Sequence, residues 1–465
     1  GLTADETALV YTLGEVAALG ADAFDAASYA SWLDATAADD LASIVYTSGT
    51  TGSPKGVRLT HATLRANVVQ CLDRLGDRPD RDAPGLSAAS TTLSFLPLAH
   101  VFERLIGHYL PFAAGGTVAY AERPATLAED FALVEPTTAA AVPRVYETLF
   151  ERVGELKTDA AIREAFGGAV DFFISGGGSL SPDLCERYHE TGLPILEGYG
   201  LTETAPVVSV NPPDDPQIGT IGPPVVGTEV AIDERVDGPG SETAPGPVGE
   251  LLVRGPQVTD GYWNRPDATD EAFSDPNALP EDTPTAGESP ADRGGDPAEP
   301  WFHTGDVVRL RPDGHLVFQA RAKRLLVLST GENVAPGPIA DRLTDDALVD
   351  QCVVLGDDRP FVSALLVPDF DRVSSWAADA GIDLPTDRQA TCRDDRLRDR
   401  IATAVDAANA DLEPIERIER FRLIAEPLTR ANGLLTPTSK KKRRSILDRF
   451  ADDVERIYGE NDGAD

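Results

Sequence analysis

Residues Tyr46 to Gly56, YTSGTTGSPKG, gather hydroxyls, glycines and one lysine just after the apolar run Leu41–Val45. That mixture suits the holding of phosphate. Gly49, Gly52 and Gly56 permit positive φ and close backbone approach, so successive N–H groups can turn toward an anion. Thr47, Ser48, Thr50, Thr51 and Ser53 add hydroxyl donors, and Lys55 adds charge. The spacing excludes a Walker A loop, which needs four residues between its first glycine and a Gly-Lys pair followed by Ser or Thr; here Pro54 precedes Lys55 and Gly56 follows it. Glycine and threonine density alone also fits an ordinary surface loop, so the rest of the chain must decide.

Further stretches group residues able to do chemistry: LPLAHVFER (Leu96 to Arg104), VPRVYE (Val142 to Glu147), SGGGSL (Ser175 to Leu180), EGYGLTETAP (Glu197 to Pro206), WFHTGD (Trp301 to Asp306), STGENVAP (Ser329 to Pro336) and NGLLTPT with the basic run to Arg444 (from Asn432). The lysines point the same way. There are only Lys55, Lys157, Lys323, Lys440, Lys441 and Lys442, and all but Lys157 fall in or beside such stretches, in a chain that otherwise uses arginine. A flexible point charge is wanted there.

Taken in order, these stretches resemble the motifs of the AMP-forming acyl-CoA synthetases, the adenylate-forming family, in their long-chain branch. The resemblance covers nearly the whole chain. It implies activation of a fatty acid in two steps: the carboxylate attacks the α-phosphate of Mg·ATP to give acyl-AMP and pyrophosphate, then the thiol of coenzyme A displaces AMP. The loop Thr47, Ser48, Gly49, Thr50, Thr51, Gly52 and Lys55 would cradle phosphates. Tyr199 and Gly200 would bind the nucleotide, with Tyr199 stacked on adenine opposite Gly176, Gly177 and Gly178. Thr202 would donate to the α-phosphate, and Glu203 would hold Mg²⁺, a hard cation suited to carboxylate and phosphate oxygens. Asp306 and Arg321 are similar to the pair that grips the ribose, and His100 is similar to a histidine beside the acyl pocket. Lys440 resembles the lysine that neutralises charge at the reacting carboxylate and α-phosphate.

Several positions depart from the family pattern. Ala320 stands where glycine or aspartate is usual, Arg324 and Ala340 where an acid is frequent. Ser439-Lys440-Lys441-Lys442 replaces the commoner alternation of lysine with an apolar residue, so Lys440 is assigned by its distance from Pro437, and Lys442 is the second candidate. Two other readings remain beside acyl-CoA synthesis: an aryl or amino acid activator that hands its adenylate to a carrier protein, and a catalytically silent nucleotide-binding module.

The elements that must position these residues read as α/β layers. Thr60 is a candidate N-cap for a helix after the phosphate loop, with Leu64, Val68, Leu72 and Leu75 as its apolar stripe and Gly76 closing it. Thr92 to Leu98 reads as a short buried strand broken at Pro97. The helix from Pro143 is expected to bury Val145, Leu149 and Val153. Phe172 to Gly178 is a strand entering a glycine turn, followed by a helix capped by Ser181 with Pro182 at its first position. Pro194 to Thr204 is the next strand and its outgoing loop. Gly219 to Arg254 suggests a small antiparallel β unit, and Ser274 to Pro300 an acidic, solvated or disordered insertion.

The expected organisation is a multi-layer α/β fold. Residues 1–320 form a large AMP-binding domain with a small β unit, whose first subdomain is largely absent. Residues 321–465 form a smaller, mobile α+β domain beyond a hinge at Lys323. In that domain, strands are expected near Leu325 to Leu328, Cys352 to Leu355 and Ser363 to Val367, with a helix from about Asp394 to Asp411 and a last helix burying Ile446, Phe450, Val454 and Ile457.

Composition bounds the partners. The 465 residues suffice for two or more cored domains, and 77 acidic against 41 basic residues give a net charge of -36. The acid is spread along the chain, which fits a salt-rich, halophilic cytosol and disfavours nucleic acid and anionic lipid. Cys71, Cys185, Cys352 and Cys392 are scattered without a CxxC pair, against a disulfide framework or a zinc site. No apolar run approaches the roughly 18 residues of a membrane span, so a cytoplasmic protein is expected, with homo-oligomer formation left open. The chain has no methionine, and its first 40 residues read as the end of a unit that begins upstream of Gly1.

Overall fold

A computed structural model describes residues 11–47, 54–153, 158–236, 245–275, 279–280, 282–288, 299–322, 325–330, 332–410, 412–435 and 441–459. The expected phosphate loop is flanked by two paired strands, and its residues 48–53 lie outside the described residues. Strand β1 (Leu41–Thr47) pairs antiparallel with β2 (Lys55–Thr60), and Thr47 faces Lys55 across the pair. The helix His61–Leu75 follows, with the Thr60 hydroxyl accepting from the Thr63 N–H and Gly76 as C-cap. Thr60 therefore caps as expected, but a strand lies between loop and helix. KGVRLT is too short and too mixed for its pattern to announce a strand, and its partner β1 decides it.

That helix buries polar side chains within the expected apolar stripe. Asn67 exchanges two hydrogen bonds of 2.8 Å with the backbone of Val207, one in each direction. Gln70 donates to Gln257 at 3.0 Å. Asn67 fastens the helix to the segment following Glu203 and Gln70 fastens it to Gln257, and each is satisfied, so their burial costs little.

The central sheet holds β3 (Thr91–Ser94), β4 (Thr117–Tyr120), β5 (Thr138–Ala141), β6 (Phe172–Ser175), β7 (Ile195–Gly200) and β8 (Val207–Val210), in the order β4-β3-β5-β6-β7-β8. All neighbours are parallel except β7 and β8. β5 and β6 are buried throughout, which explains their unalternating TAAA and FFIS sequences. Strand β3 ends at Ser94, before the expected Leu98, and the chain enters a π-helical segment at Glu103–Tyr109. The helix Pro143–Val153 fixes itself through Tyr146 and Leu149, while Val145 and Val153 are only half-buried. Tyr146 is the anchor because its ring packs on Phe173 and its hydroxyl reaches the Ile174 carbonyl at 2.8 Å, satisfying the buried polar tip. The helix Pro182–Glu190 starts where expected, with Pro182 first and Ser181 at the N-cap position, but the Ser181 hydroxyl makes no capping hydrogen bond.

A second, antiparallel sheet contains β9 (Glu229–Asp233), β10 (Val248–Arg254), β11 (Phe273–Ser274), β12 (Thr285–Gly287), β13 (Trp301–Leu310) and β14 (Leu316–Arg321), in the order β11-β13-β10-β9-β12 with β14 on β13. The β unit thus extends past Arg254. The expected insertion is not all solvated: β12 lies inside it and pairs with β9, and Leu279 packs near Trp301. Pairing with a distant strand overrides a local sequence that lacks apolar periodicity; 289–298 lie outside the described residues.

Beyond Leu325 come a two-stranded ribbon, β15 (Leu326–Val327) with β16 (Asn333–Val334), and a sheet of β17 (Val349–Leu355), β18 (Val362–Pro368) and β19 (Ile418–Leu423). The helix Asp395–Ala410 covers this sheet. Ile446, Phe450, Val454 and Ile457 are buried in one cluster as expected, but on two helices, Arg443–Arg449 and Ala451–Gly459, that break at Phe450. The apolar clusters built from residues up to 318 and those built from residue 326 onward share no member. The helices Leu13–Ala23 and Ala26–Ala35 bury none of their residues.

Candidate active site

Loops leaving the carboxyl ends of β3, β6 and β7 emerge on one edge of the parallel sheet, the edge where α/β folds collect ligand groups. His100 lies beyond β3, exposed, accepting from the Phe102 N–H at 3.2 Å. Gly176 to Gly178 follow β6, and Gly177 has φ +77°. Tyr199 and Gly200 end β7, and the 3₁₀ turn Thr202–Thr204 carries Thr202 and Glu203. Gly200 has no alternative, since a Cβ there would lie 1.9 Å from the Pro206 carbonyl oxygen.

At one end of this short segment the Tyr199 hydroxyl donates to Asp306 Oδ2 at 2.7 Å. Asp306 is 1% exposed. Its carboxylate is also held by Arg321, whose Nε donates to Oδ1 at 2.6 Å and whose Nη2 donates to Oδ2 at 3.0 Å. The fork–fork pair arises because Asp306 and Arg321 are register partners on β13 and β14. Burial, then the Asp306 carboxylate, hold the Tyr199 phenol well above its usual pKa, so it stays a donor. The hydrogen bond that Arg321 donates to Asp306 likewise raises the pKa of Arg321. Tyr199, Asp306 and Arg321 are thus brought together.

At the other end, Tyr262 donates its hydroxyl to Glu203 Oε1 at 2.9 Å, and Lys55 places its ammonium over the Tyr262 ring, 4.7 Å from the centroid. The segment Thr259 to Trp263 is a strap between β2 and the 3₁₀ turn. Thr259 N–H reaches the Glu203 carbonyl at 2.8 Å, Arg58 N–H the Gly261 carbonyl at 3.1 Å, and Trp263 N–H the Gly56 carbonyl at 2.7 Å. Gly261 is forced there, with φ +138° and Thr269 Cγ2 only 2.5 Å from where a Cβ would sit. Tyr262 and Thr259 escaped the sequence reading, although GYW beside a predicted β unit was the available signal.

Glu203 suits a magnesium ion in the chemistry of its donors. Among the described residues no group of three or more His, Cys, Asp or Glu could hold a metal unaided. A lone carboxylate completed by substrate phosphate oxygens is a Mg²⁺ arrangement.

Ser48, Gly49, Thr50, Thr51, Gly52, Lys323 and Lys440 lie outside the described residues. Around the last of these, Lys441 Nζ reaches back to the Cys352 carbonyl at 2.6 Å and Arg443 Nη1 to the Val354 carbonyl at 2.8 Å. Two cations of the basic run are therefore anchored on β17.

The large α/β body, with Tyr199 and Glu203 at the carboxyl end of its parallel sheet, has the fold of the adenylate-forming enzymes. The chain belongs to the AMP-binding enzyme family, whose signature matches residues 3–263, with the AMP-binding enzyme C-terminal domain matching 323–462. It is 32% identical over 489 residues to the long-chain-fatty-acid–CoA ligase FadD15 of Mycobacterium bovis, covering 93% of this chain and 72% of that protein. To the peroxisomal long chain acyl-CoA synthetase 7 of Arabidopsis thaliana it is 32% identical over 468 residues, covering 91% of this chain and 61% of that one. The fold matches ATP-bound MatB from Rhodopseudomonas palustris with a TM-score of 0.63 at 23% identity, over 90% of this chain and 69% of that one. Among the described residues no helix is long and apolar enough to cross a membrane.

Proposed function

We propose that this chain joins a long-chain fatty acid to coenzyme A, through an acyl-adenylate formed from ATP with release of pyrophosphate and then AMP. The observation that carries the reading is the double grip on residues 199–203, with Tyr199 tied to Asp306, itself held by Arg321, at one end, and Glu203 tied to Tyr262, whose ring carries the Lys55 ammonium, at the other. A nucleoside fits the first end and a triphosphate the second. The choice of acid is supported by relatives named for long-chain fatty acids that align over more than nine-tenths of the chain.

In this reading Tyr199 presents its ring to adenine opposite Gly176 to Gly178. Asp306 accepts from the ribose hydroxyls while Arg321 fixes its orientation. Thr202 donates to the α-phosphate, and the loop Thr47 to Lys55 holds the departing phosphates. Mg²⁺, when bound, neutralises charge on the phosphate oxygens, and Glu203 supplies its protein ligand. His100 borders the acyl site. Catalysis is orientation and charge stabilisation at phosphorus, to which Lys440 adds its ammonium in the first half-reaction. The division after residue 320, with Lys323 as hinge, lets the C-terminal domain carry Lys440 in and then open a path for the thiol. The cytoplasm is the compartment proposed, on four thiols that are all free and buried. Fatty-acid-dependent exchange of labelled pyrophosphate into ATP, without coenzyme A, tests the reading, and absence of exchange with every acid tried would overturn it.

A further inference from the structure

We infer that Tyr262 is a positioning residue for the metal and phosphate end of the site: one side chain orients both Glu203 and Lys55, and keeps these opposite charges from neutralising each other. The inference rests on the reading of Glu203 as metal ligand and Lys55 as phosphate contact. Tyr262 is 8% exposed, packed with Val57, Leu64 and Ala205, so its ring cannot swing freely. Its N–H is tied to Thr269 Oγ1 at 3.0 Å, and its backbone bridges to Val57 on β2. From that fixed ring the hydroxyl takes Glu203 Oε1, leaving Oε2 for a cation, while the ring face takes the Lys55 ammonium.

The energetics favour such an arrangement. Lys55 and Glu203 are each held by the tyrosine and not by one another. A lysine–carboxylate pair would have to be broken before either group could serve a Mg·triphosphate. A cation–π contact is weak beside a charge–charge pair with phosphate, so Lys55 is held in place yet yields readily to phosphate. Outer partners of this kind typically control metal affinity about 10- to 100-fold.

Tyr262→Phe keeps the ring and its packing but removes the donor; Tyr262→Leu removes both. The test is Mn²⁺ binding, followed by electron paramagnetic resonance in the presence of a non-hydrolysable ATP analogue, alongside the Mg²⁺ dependence of turnover. Tyr262→Phe should weaken Mn²⁺ binding about tenfold, raise the half-saturating Mg²⁺ by a similar factor, and regain wild-type kcat at high Mg²⁺, with the KM for fatty acid unchanged. Tyr262→Leu should in addition raise the KM for ATP. Glu203→Gln is the control for the underlying reading. If Glu203→Gln weakens Mn²⁺ binding and Tyr262→Phe does not, the inference is overturned and the metal assignment stands. If neither weakens it, the metal assignment fails and takes the inference with it.

Discussion

Tyr199 and Asp306, 107 positions apart in the chain, meet through a 2.7 Å hydrogen bond in which the phenol donates to a carboxylate already gripped by Arg321. The ring expected to face adenine and the carboxylate expected to face ribose are therefore one rigid unit. Tyr199→Phe keeps the aromatic face and loses the tie. A hydrogen bond to a charged group is worth about 1.5–3 kcal/mol, so the KM for ATP should rise about tenfold while that for fatty acid stays put. An unchanged KM for ATP would mean that Asp306 needs no help from the tyrosine.

Much of this unit was legible in the sequence because the residues sit at strand ends whose patterns are strong. β6 announces itself by the apolar run FFI, β7 by Ile195-Leu196 entering a glycine-rich turn, and Ser181-Pro182 marks the intervening helix. The tie from Tyr199 to Asp306 was not legible, since it joins two sheets. Nor was Tyr262, whose role exists only where β2, the 3₁₀ turn and the strap meet. β12 was hidden in an acidic Pro/Gly stretch because its stability comes from β9 and not from its own three residues. Asn67 carries no sequence signal because it occupies a core-facing helical position, where the partner that makes it acceptable, the Val207 backbone, is 140 residues away.

The two half-reactions should separate Lys440 from Lys323. Lys440→Ala should cut adenylate formation about 100-fold or more, as loss of an oxyanion donor does, and leave thioester formation from supplied acyl-AMP largely intact. Lys441 and Arg443 are anchored on β17, which leaves Lys442 as the other candidate in the run; a selective defect in Lys442→Ala alone would move the assignment there. Lys323→Pro should do the reverse, slowing transfer to coenzyme A, because proline restricts rotation at a hinge. An unchanged ratio of the two rates in a folded Lys323→Pro enzyme would refute the hinge.

Glu103 should make stability fall as pH rises. Its carboxyl is 1% exposed, accepts from Ser94 Oγ at 2.5 Å, and is pushed by burial up to about 7. Between the unfolded value near 4.5 and about 7, the folded state binds the proton and the unfolded state does not, so the folded state's advantage is complete below 4.5 and lost as pH rises through 7. At about 1.4 kcal/mol per pKa unit the swing is roughly 3–4 kcal/mol. Glu103→Gln should flatten the pH dependence of thermal unfolding between pH 5 and 8 by that order, and a slope equal to wild type would contradict the assignment.

Salt should stabilise the protein. The net charge is -36, and carboxylates face one another where the C-terminal unit meets the larger one: burial, then Asp183, raise the pKa of Asp345, with Glu147 adding to it. Screening of such pairs predicts a thermal midpoint that climbs from low to molar KCl. A flat or falling midpoint would remove the halophilic reading and leave the enzymatic one untouched.

The most direct measurement is the product balance of one reaction containing a long-chain fatty acid, Mg·ATP and coenzyme A, resolved by mass spectrometry. The account predicts acyl-CoA, AMP and pyrophosphate in equal amounts, none without ATP, and acyl-AMP accumulating when coenzyme A is withheld. Formation of ADP and phosphate, or consumption of ATP with no thioester from any fatty acid, would contradict it.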